Sequence, residues 1–221
     1  MKKTRVLLYL CFICVLSNCS SDSNDSSDEI EETMLQQPRT AIPDEAFERA
    51  LIELNFDDVE DGSVLTKDIE LVTSLVMNDK SISDLTGLED FPKLENLWVN
   101  DNLLTSLDVS QNPLLKFVFA ENNMLTNVTL SNLTILEKLE LSDNQLTEVD
   151  LTDNSLLQLL SLVNNSLTSI DISSVASSIQ LNTFAIENNP LTCIKVNAEM
   201  FNDIPSQWTK DDEDIFALEC N

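Results

Sequence analysis

The side chains that most often carry out catalysis are scarce or absent in this chain of 221 residues. It contains no histidine, which excludes Ser-His-Asp and Cys-His nucleophile systems and zinc motifs built on two histidines of one helix. It contains two glycines, Gly62 and Gly87, so no glycine-rich loop can cradle a phosphate or a dinucleotide. Acidic residues outnumber basic ones by 39 to 12, which argues against binding nucleic acid through its phosphates. We therefore expect no enzyme, no cofactor and no nucleic-acid partner.

Carboxylates are the one class of reactive side chain that the chain has in abundance. Glycoside hydrolysis needs two carboxylates in contrasting environments, and because nothing singles out such a pair, a hydrolase stays an alternative without named residues. Asp57 and Asp61 precede a glycine at positions that suggest a calcium loop. However, Val59 stands between them and no carboxylate ends the loop. We predict an acidic turn over residues 57–62 with no metal, and a solvent-facing acidic run at residues 211–214.

The beginning of the chain has the pattern of an export signal. A basic start is followed by an apolar run of eleven residues, 6–16, which is too short to span a bilayer as a mature helix. The run ends in Leu-Ser-Asn-Cys, which resembles a bacterial lipoprotein signal. The resemblance implies that residues 1–18 are a signal peptide and that Cys19 receives the lipid. The alternative is an ordinary secretory signal that is cut elsewhere.

The cysteine count agrees with export. Of the five cysteines, Cys11 and Cys14 lie within the signal, and Cys19 is the predicted lipidation site. Cys193 and Cys220 remain, in a compartment where disulfides persist. An even remainder of two predicts one disulfide between them.

Residues 19–40 are predicted to form a disordered acidic tether, because a stretch so rich in serine and aspartate cannot bury apolar area. An acidic stretch directly after a lipidated cysteine resembles the surface-export tag of Bacteroidota lipoproteins. A plain solvated spacer is the alternative. The resemblance implies a lipid-anchored protein of the outer membrane, displayed at the cell surface. Since the net charge is −27, anionic headgroups would repel the chain, and the lipid alone would hold it at the membrane.

From Val72 onward the chain repeats itself, and the repeat predicts the fold. Asparagines recur every 21 residues, and the last follows after 24. Apolar residues stand eight, five and three positions before each asparagine and two and five positions after it. This is the L-x-x-L-x-L-x-x-N-x-L pattern of leucine-rich repeats, in about six copies of 21–24 residues over residues 72–196. The repeating asparagines are Asn102, Asn123, Asn144, Asn165 and Asn189, and Lys80 takes their place in the first copy.

Stacking of the copies gives each position a physical role. One turn cannot bury the inward leucines of its short strand by itself, so successive turns stack into a solenoid with a parallel sheet. An inward asparagine can bond the unpaired backbone groups of adjacent turns. Lys80 cannot accept a hydrogen bond, so the first turn must close differently. Asn, Asp and Ser replace glycine in the tight bends. A turn of 21 residues leaves no room for a long helix on the opposite side, so we expect extended segments there.

Both ends of a solenoid need caps, because an uncapped end exposes its apolar interior. The predicted N-terminal cap, residues 41–71, contains an amphipathic helix over residues 42–54, with Pro43 in its first turn. Its apolar face comprises Ala46, Phe47, Ala50, Leu51 and Leu54. The predicted C-terminal cap, residues 197–221, is closed by the cysteine pair around Phe201, Trp208 and Phe216. The expected fold class is therefore an α/β-type leucine-rich-repeat horseshoe with a helical N-terminal cap and a disulfide C-terminal cap.

Three segments carry a resemblance to a family. Ile-Pro-Asp-Glu-Ala-Phe-Glu-Arg-Ala-Leu at residues 42–51, Ile-Ser-Asp-Leu-Thr-Gly-Leu at 82–88 and Leu-Thr-Cys-Ile at 191–194 resemble leucine-rich-repeat surface lipoproteins of Bacteroidota. The repeat itself is similar to internalin-like binding domains. The resemblance implies protein or ligand binding at the cell surface and no shared catalytic residues.

The outward residues of the strands form the concave sheet, and they predict where binding occurs. Trp98, Phe117 and Phe119 fall on adjacent strands about 4.8 Å apart, in a chain with 5% aromatic residues. We expect a monomer that binds a protein or glycan there. Two alternatives are that the tether or the N-terminal cap covers the rings, and that the protein is an accessory subunit of an outer-envelope complex. The predicted contact residues are Val76, Trp98, Phe117, Phe119, Glu121, Lys138 and Glu140.

Overall fold

A computed structural model describes residues 37–175 and 180–220 of the chain. The predicted signal peptide, the lipidation site Cys19 and most of the tether lie outside the described residues. The described chain begins with strand β1 (Arg39–Ala41), two residues of which the sequence analysis assigned to the tether. Arg39 donates to Asp61 and Ser63, and the buried Thr40 donates to Asp90. The N-terminal cap therefore begins before residue 41, because these polar contacts anchor the strand.

The N-terminal cap contains the predicted helix, which starts slightly later than expected. Helix α1 (Glu45–Glu53) begins after Asp44, whose Oδ1 accepts the backbone N–H of Ala46 and Phe47. Pro43 thus lies before the cap residue and outside the first turn, which corrects the prediction. Asp44 Oδ2 accepts the N–H and O–H of Ser83, so the same carboxylate joins the helix to the first repeat. Burial by itself would raise the pKa of Asp44, but these hydrogen bonds outweigh it and lower that pKa.

The buried face of α1 includes one residue that the apolar pattern does not predict. Ala46, Phe47, Ala50 and Leu51 are buried as expected, whereas Leu54 is half-buried. Glu48 is also buried, with 2% of its surface exposed. Its Oε1 accepts the backbone N–H groups of residues 61, 62 and 63 at 2.8, 2.6 and 3.0 Å. These bonds hold the loop that leads into strand β2 (Ser63–Leu65), which pairs antiparallel with β1 and precedes helix α2 (Thr66–Ile69).

The repeats form the predicted solenoid, whose concave side is one parallel sheet of six strands. The central residue of each strand points inward and is fully buried, and these residues pair in register across the sheet. Burying such side chains contributes roughly 1.5–3 kcal/mol each, which drives the stacking. The strands are β3 (Ser74–Val76), β4 (Asn96–Trp98), β6 (Phe117–Phe119), β8 (Lys138–Glu140), β9 (Leu159–Ser161) and β11 (Thr183–Ala185). The central residues are Leu75, Leu97, Val118, Leu139, Leu160 and Phe184.

The asparagines form the predicted ladder between turns. Asn144 is representative: its Nδ2 donates to the backbone oxygens of residues 120, 141 and 142, and its Oδ1 accepts the N–H of Leu125. Lys80 closes the first turn differently, as predicted, since its own backbone N–H donates to Asn102 Oδ1. The residue before each ladder position is Asn or Asp with φ between 55° and 59°, a left-handed conformation that these residues tolerate. They are Asp79, Asp101, Asn122, Asp143, Asn164 and Asn188.

A second set of buried asparagines lies at the start of alternate turns and was not predicted. Asn112 Nδ2 donates to the carbonyl oxygens of Leu88 and Phe91, and Asn154 repeats the contact with Leu130 and Leu133. Their spacing of 42 residues, twice the repeat, is the signal that could have revealed them. These side chains tie each second turn to the one before it.

The side of the solenoid opposite the concave sheet is extended, as predicted. Strands β5 (Ser106–Asp108) and β7 (Asn127–Thr129) pair in parallel there, one repeat apart. Further along, β10 (Ile170–Asp171), β12 (Cys193–Lys195) and β13 (Ile215–Ala217) form a second parallel sheet. Within residues 92–175 and 180–192, which the structure describes, no helix occurs.

The C-terminal cap confirms the predicted disulfide and corrects its predicted core. Cys193 and Cys220 are bonded, with their Cα atoms 5.8 Å apart. Trp208 is buried, and its indole N–H donates to the carbonyl oxygen of Leu181. Its ring packs on Phe184 and Phe216, with centroids 5.3 and 5.9 Å away. Phe201 belongs to the short helix α3 (Ala198–Asn202) and is 47% exposed, so it is not part of this core.

The acidic run at residues 211–214 is not wholly solvent-facing, contrary to the prediction. Asp214 has 2% of its surface exposed, and neither carboxyl oxygen has a hydrogen-bond partner in the described chain. Burial raises the pKa of Asp214, and the nearby Asp211 raises it further, while Lys210 and the Asp211 backbone oppose the shift. The ionised side chain therefore destabilises the folded cap.

We expect Asp214→Asn to raise the free energy of unfolding by about 1 kcal/mol at neutral pH, because a neutral amide costs less to bury than an unpaired carboxylate. A raised pKa in the folded state means that this penalty acts above that pKa and disappears below the ordinary value of 3.8. Thermal melts of the original protein and of Asp214→Asn, from below pH 3.8 to neutral pH, measure the difference in stability. The exposed Asp212→Asn is the matched control and should change little; an equal gain there would assign the effect to net charge.

Candidate functional site

The structure places the predicted contact residues next to one another on the concave sheet. Val76 pairs with Trp98, Trp98 with Phe119, and Phe119 with Glu140, on four neighbouring strands. Asn96, Phe117 and Lys138 form the adjoining row in the same way. We call Val76, Trp98, Phe117 and Phe119 the aromatic patch. Its position follows from the repeat, because residues 21 or 22 apart in the chain become neighbours on adjacent strands.

The centre of the patch is a pair of stacked rings. The centroids of Trp98 and Phe119 are 5.6 Å apart, and their planes differ by 1°. Each ring is half-buried, and Val76 beside them is 52% exposed. The described part of the N-terminal cap does not bury these rings, and the predicted tether lies largely outside the described residues. A flat aromatic surface therefore faces outward from the sheet.

Phe117 has a partner of its own. The Nζ atom of Lys138 lies 4.9 Å from the centre of the Phe117 ring, a distance at which a cation and an aromatic face attract each other. Both side chains are half-buried. Phe117 thus lies on the same face as the stacked pair, but its ring is engaged by a lysine from the next strand.

Two carboxylates border the patch, one on strand β8 and one just after strand β6. Glu140 follows Phe119 across the sheet, and Glu121 stands two residues after Phe119 along the chain. Burial raises the pKa of Glu140, the charge of Glu121 raises it further, and Lys138 opposes the shift. Neither carboxylate has an ion pair within 4 Å among the described residues. This border of the patch therefore carries net negative charge, because two carboxylates lie near one lysine that forms no ion pair with either.

Polar side chains that the sequence analysis did not single out fix the backbone beside the patch. Asn78 Oδ1 accepts the N–H of Asn100, and Asn100 Oδ1 accepts the N–H of Glu121, each at 2.9 Å. On the other side of Glu140, the hydroxyl groups of Ser142 and Ser161 are hydrogen-bonded at 2.7 Å. The recurrence of asparagine at the same repeat position, 78 and 100, is the sequence signal for the first of these contacts.

The acidic turn over residues 57–62 is held by structural contacts. In this turn, Asp61 binds Arg39 at 2.9 Å and also accepts a hydrogen bond from the Ser63 hydroxyl.

Among residues 37–175 and 180–220, no group of three or more acidic or cysteine side chains is arranged to hold a metal ion. A depression of about 170 Å³ lies on the opposite side of the solenoid, lined by polar groups that include Asp150 and Asp153. No helix in the described chain is long and apolar enough to span a bilayer.

Comparison with known proteins supports the fold. No protein-family model matches the chain, and no curated protein is similar to it in sequence. Among solved structures, the functional domain of the internalin InlJ from Listeria monocytogenes matches over 83% of this chain, with a TM-score of 0.60 and 24% identity. The chain spans 49% of that domain. The internalins InlF and InlC2 of the same species are 16% and 17% identical over 80% of this chain, with TM-scores of 0.43 and 0.45.

The InlJ match also shows a difference in how the turns are tied together. That domain is described as including a cysteine ladder. Residues 20–192 of this chain contain no cysteine, and asparagine side chains connect the turns instead. The parallel-sheet leucine-rich-repeat solenoid is thus shared, and the turns of this chain are bridged without a cysteine ladder.

Proposed function

We propose that this protein is a lipid-anchored binding protein of the cell surface, which captures a protein or glycan partner on its concave sheet. The observation that carries the proposal is the stacked pair of Trp98 and Phe119, left part-exposed beside Val76. Aromatic side chains bury 150–250 Å² each when covered, so leaving them at the surface forgoes favourable burial. Apolar surface of this kind on a soluble domain usually marks an interaction site.

The polar residues around the patch suit a binding surface. Interfaces commonly have an apolar centre and a polar rim that sets the orientation of the partner. Glu121, Lys138 and Glu140 supply such a rim, and the hydrogen-bonded backbone beneath them needs little reordering on binding. Because the rings are attached to an ordered sheet, binding does not require a flexible segment to become ordered, which would cost entropy.

Replacing Trp98 and Phe119 together by serine should reduce partner capture more than tenfold, because buried aromatic anchors carry most of the affinity of an interface. Stacking contributes about 1 kcal/mol, and the buried half of each ring contributes further stability. We therefore expect the melting temperature to fall by roughly ten degrees while the variant stays folded. Capture is measured by pull-down from envelope extracts and on glycan arrays, and stability by thermal melts.

Leu103→Ser with Met124→Ser is the matched control, since both residues are exposed and apolar and lie on the same turns but off the concave sheet. Equal loss of capture in the control pair would show that the patch is not the binding surface. A loss of stability large enough to unfold the Trp98/Phe119 variant would show instead that the rings belong to the core. Recovery of one stoichiometric envelope partner would favour the accessory-subunit alternative.

The proposed membrane anchor rests on Cys19, which follows the apolar run and the Leu-Ser-Asn sequence. Cys19→Ala should move the protein from the membrane fraction to the soluble fraction, because without the acylated thiol nothing binds so acidic a chain to anionic lipid. Cys14→Ala, a change of another cysteine in the predicted signal, should leave it in the membrane fraction. Continued membrane partitioning of Cys19→Ala would place the anchor elsewhere.

A further inference from the structure

One edge of the aromatic patch is acidic. Along the row that begins at Val76 and continues through Trp98 and Phe119, the next residue across the sheet is Glu140. Glu121 lies beside it on the same face. An apolar row three side chains long thus ends at the half-buried Glu140, and the half-buried Glu121 lies beside the last ring of the row.

Among residues 37–175 and 180–220, no basic side chain forms an ion pair with these carboxylates. Lys138 is the one basic residue among the outward positions of the six strands, and its ammonium lies over the Phe117 ring. Lys80, in the turn that follows β3, is paired with Glu53. Lys116, which directly precedes Phe117, is paired with Glu95 at 2.8 Å. Burial and the charge of Glu121 raise the pKa of Glu140, and the charge of Lys138 opposes this shift only in part.

We propose that the patch receives an arginine or lysine side chain from a basic segment of a protein partner. This inference rests on the proposed function. The aliphatic stem of that side chain lies on the Trp98 and Phe119 rings, and its cationic head reaches Glu121 and Glu140. Charge complementarity selects this occupant, because a neutral or anionic ligand would desolvate both carboxylates without pairing them.

The same chemistry favours arginine over lysine. A guanidinium group stacks on aromatic faces and donates in a planar fork, so one group can bind two carboxylates while it contacts a ring. An ammonium group is more strongly hydrated and binds as a point charge. We therefore expect an arginine-containing segment to bind more tightly than its lysine counterpart.

The test uses the full folded chain and the peptide acetyl-Gly-Leu-Arg-Gly-amide as the probe. The indole N–H resonance of Trp98 is followed by NMR during titration, with the citrulline form of the peptide as the neutral counterpart. Arginine peptide should shift this resonance saturably at low salt, and citrulline peptide should not. Glu121→Gln with Glu140→Gln should weaken binding about tenfold, because both charge-assisted contacts are lost.

The matched control removes two negative charges elsewhere: Glu70→Gln with Glu148→Gln, both exposed residues. If this control weakens binding as much as the Glu121/Glu140 variant, general acidity explains the effect and the inference is wrong. The inference is equally wrong if citrulline peptide binds as well as arginine peptide, or if a chitosan hexamer binds more tightly than the peptide, which would indicate a cationic glycan. Loss of partner capture in the Trp98/Phe119 variant but not in the Glu121/Glu140 variant would leave the proposed function standing and overturn only this inference.

Discussion

Replacing Asn144 with alanine should lower the free energy of unfolding by about 3 kcal/mol or more, because it leaves several buried backbone groups unpaired at once. The Asn144 side chain donates to Ala120, Leu141 and Ser142 and accepts from Leu125, all at 2.9–3.1 Å. The turns are too tightly stacked for water to replace all four bonds. Urea unfolding followed by circular dichroism measures the loss.

Two variants make this prediction specific to the ladder. Asn127→Ala changes an exposed asparagine of strand β7 whose side chain has no hydrogen bond in the described structure, and we expect a change within about 0.5 kcal/mol. Asn144→Asp keeps the acceptor for Leu125 but turns three donor contacts into repulsion between oxygen atoms, so it should be as destabilising as alanine at neutral pH. A mild effect of both Asn144 variants would show that packing of the leucines, rather than the ladder, holds the turns in register.

Replacing Glu48 with alanine should lower the free energy of unfolding by about 2–3 kcal/mol, because three backbone N–H groups lose a charged acceptor together. The loss is smaller than at Asn144, since the loop at residues 61–63 is near the surface and water can reach part of it. Hydrogen exchange of these three amides should accelerate strongly. The melting temperature of the purified protein gives the change in stability.

Glu45→Ala on the same helix is the matched control for Glu48. Glu45 is exposed, and its only ion pair, with Arg49 at 3.7 Å, is at the surface of the described cap, where such pairs contribute little. We expect a change of about 0.5 kcal/mol there. Glu48→Gln, which retains an acceptor oxygen without the charge, should fall between the two. Equal effects of Glu45→Ala and Glu48→Ala would contradict the assigned role of the buried carboxylate.

The sequence predicted those features that depend on periodicity. Spacing of 21 residues alone places Trp98 beside Phe119 and Asn123 beside Asn144, because stacking turns convert a repeat in the chain into a row in space. Substitution of asparagine by lysine at position 80 likewise predicted that the first turn closes differently. The pairing of Cys193 with Cys220 followed from the count of cysteines that lie outside the predicted signal and lipidation site.

Periodicity does not predict the burial or the hydrogen-bond partners of a polar side chain in the folded protein. Glu48 and Asp214 are acidic in the sequence, like 37 other residues, yet the fold buries the first under three N–H donors and the second with none. Phe201 looks like core and is exposed. Likewise, only the stacked sheet brings Glu121 and Glu140 together, with no ion pair to either in the described part of the chain. Sequence alone determined the repeat and its inward leucines, because those positions are set by local strand geometry. The tertiary structure decided the electrostatic environment of each carboxylate, because that depends on backbone donors and charges that lie far away in the chain.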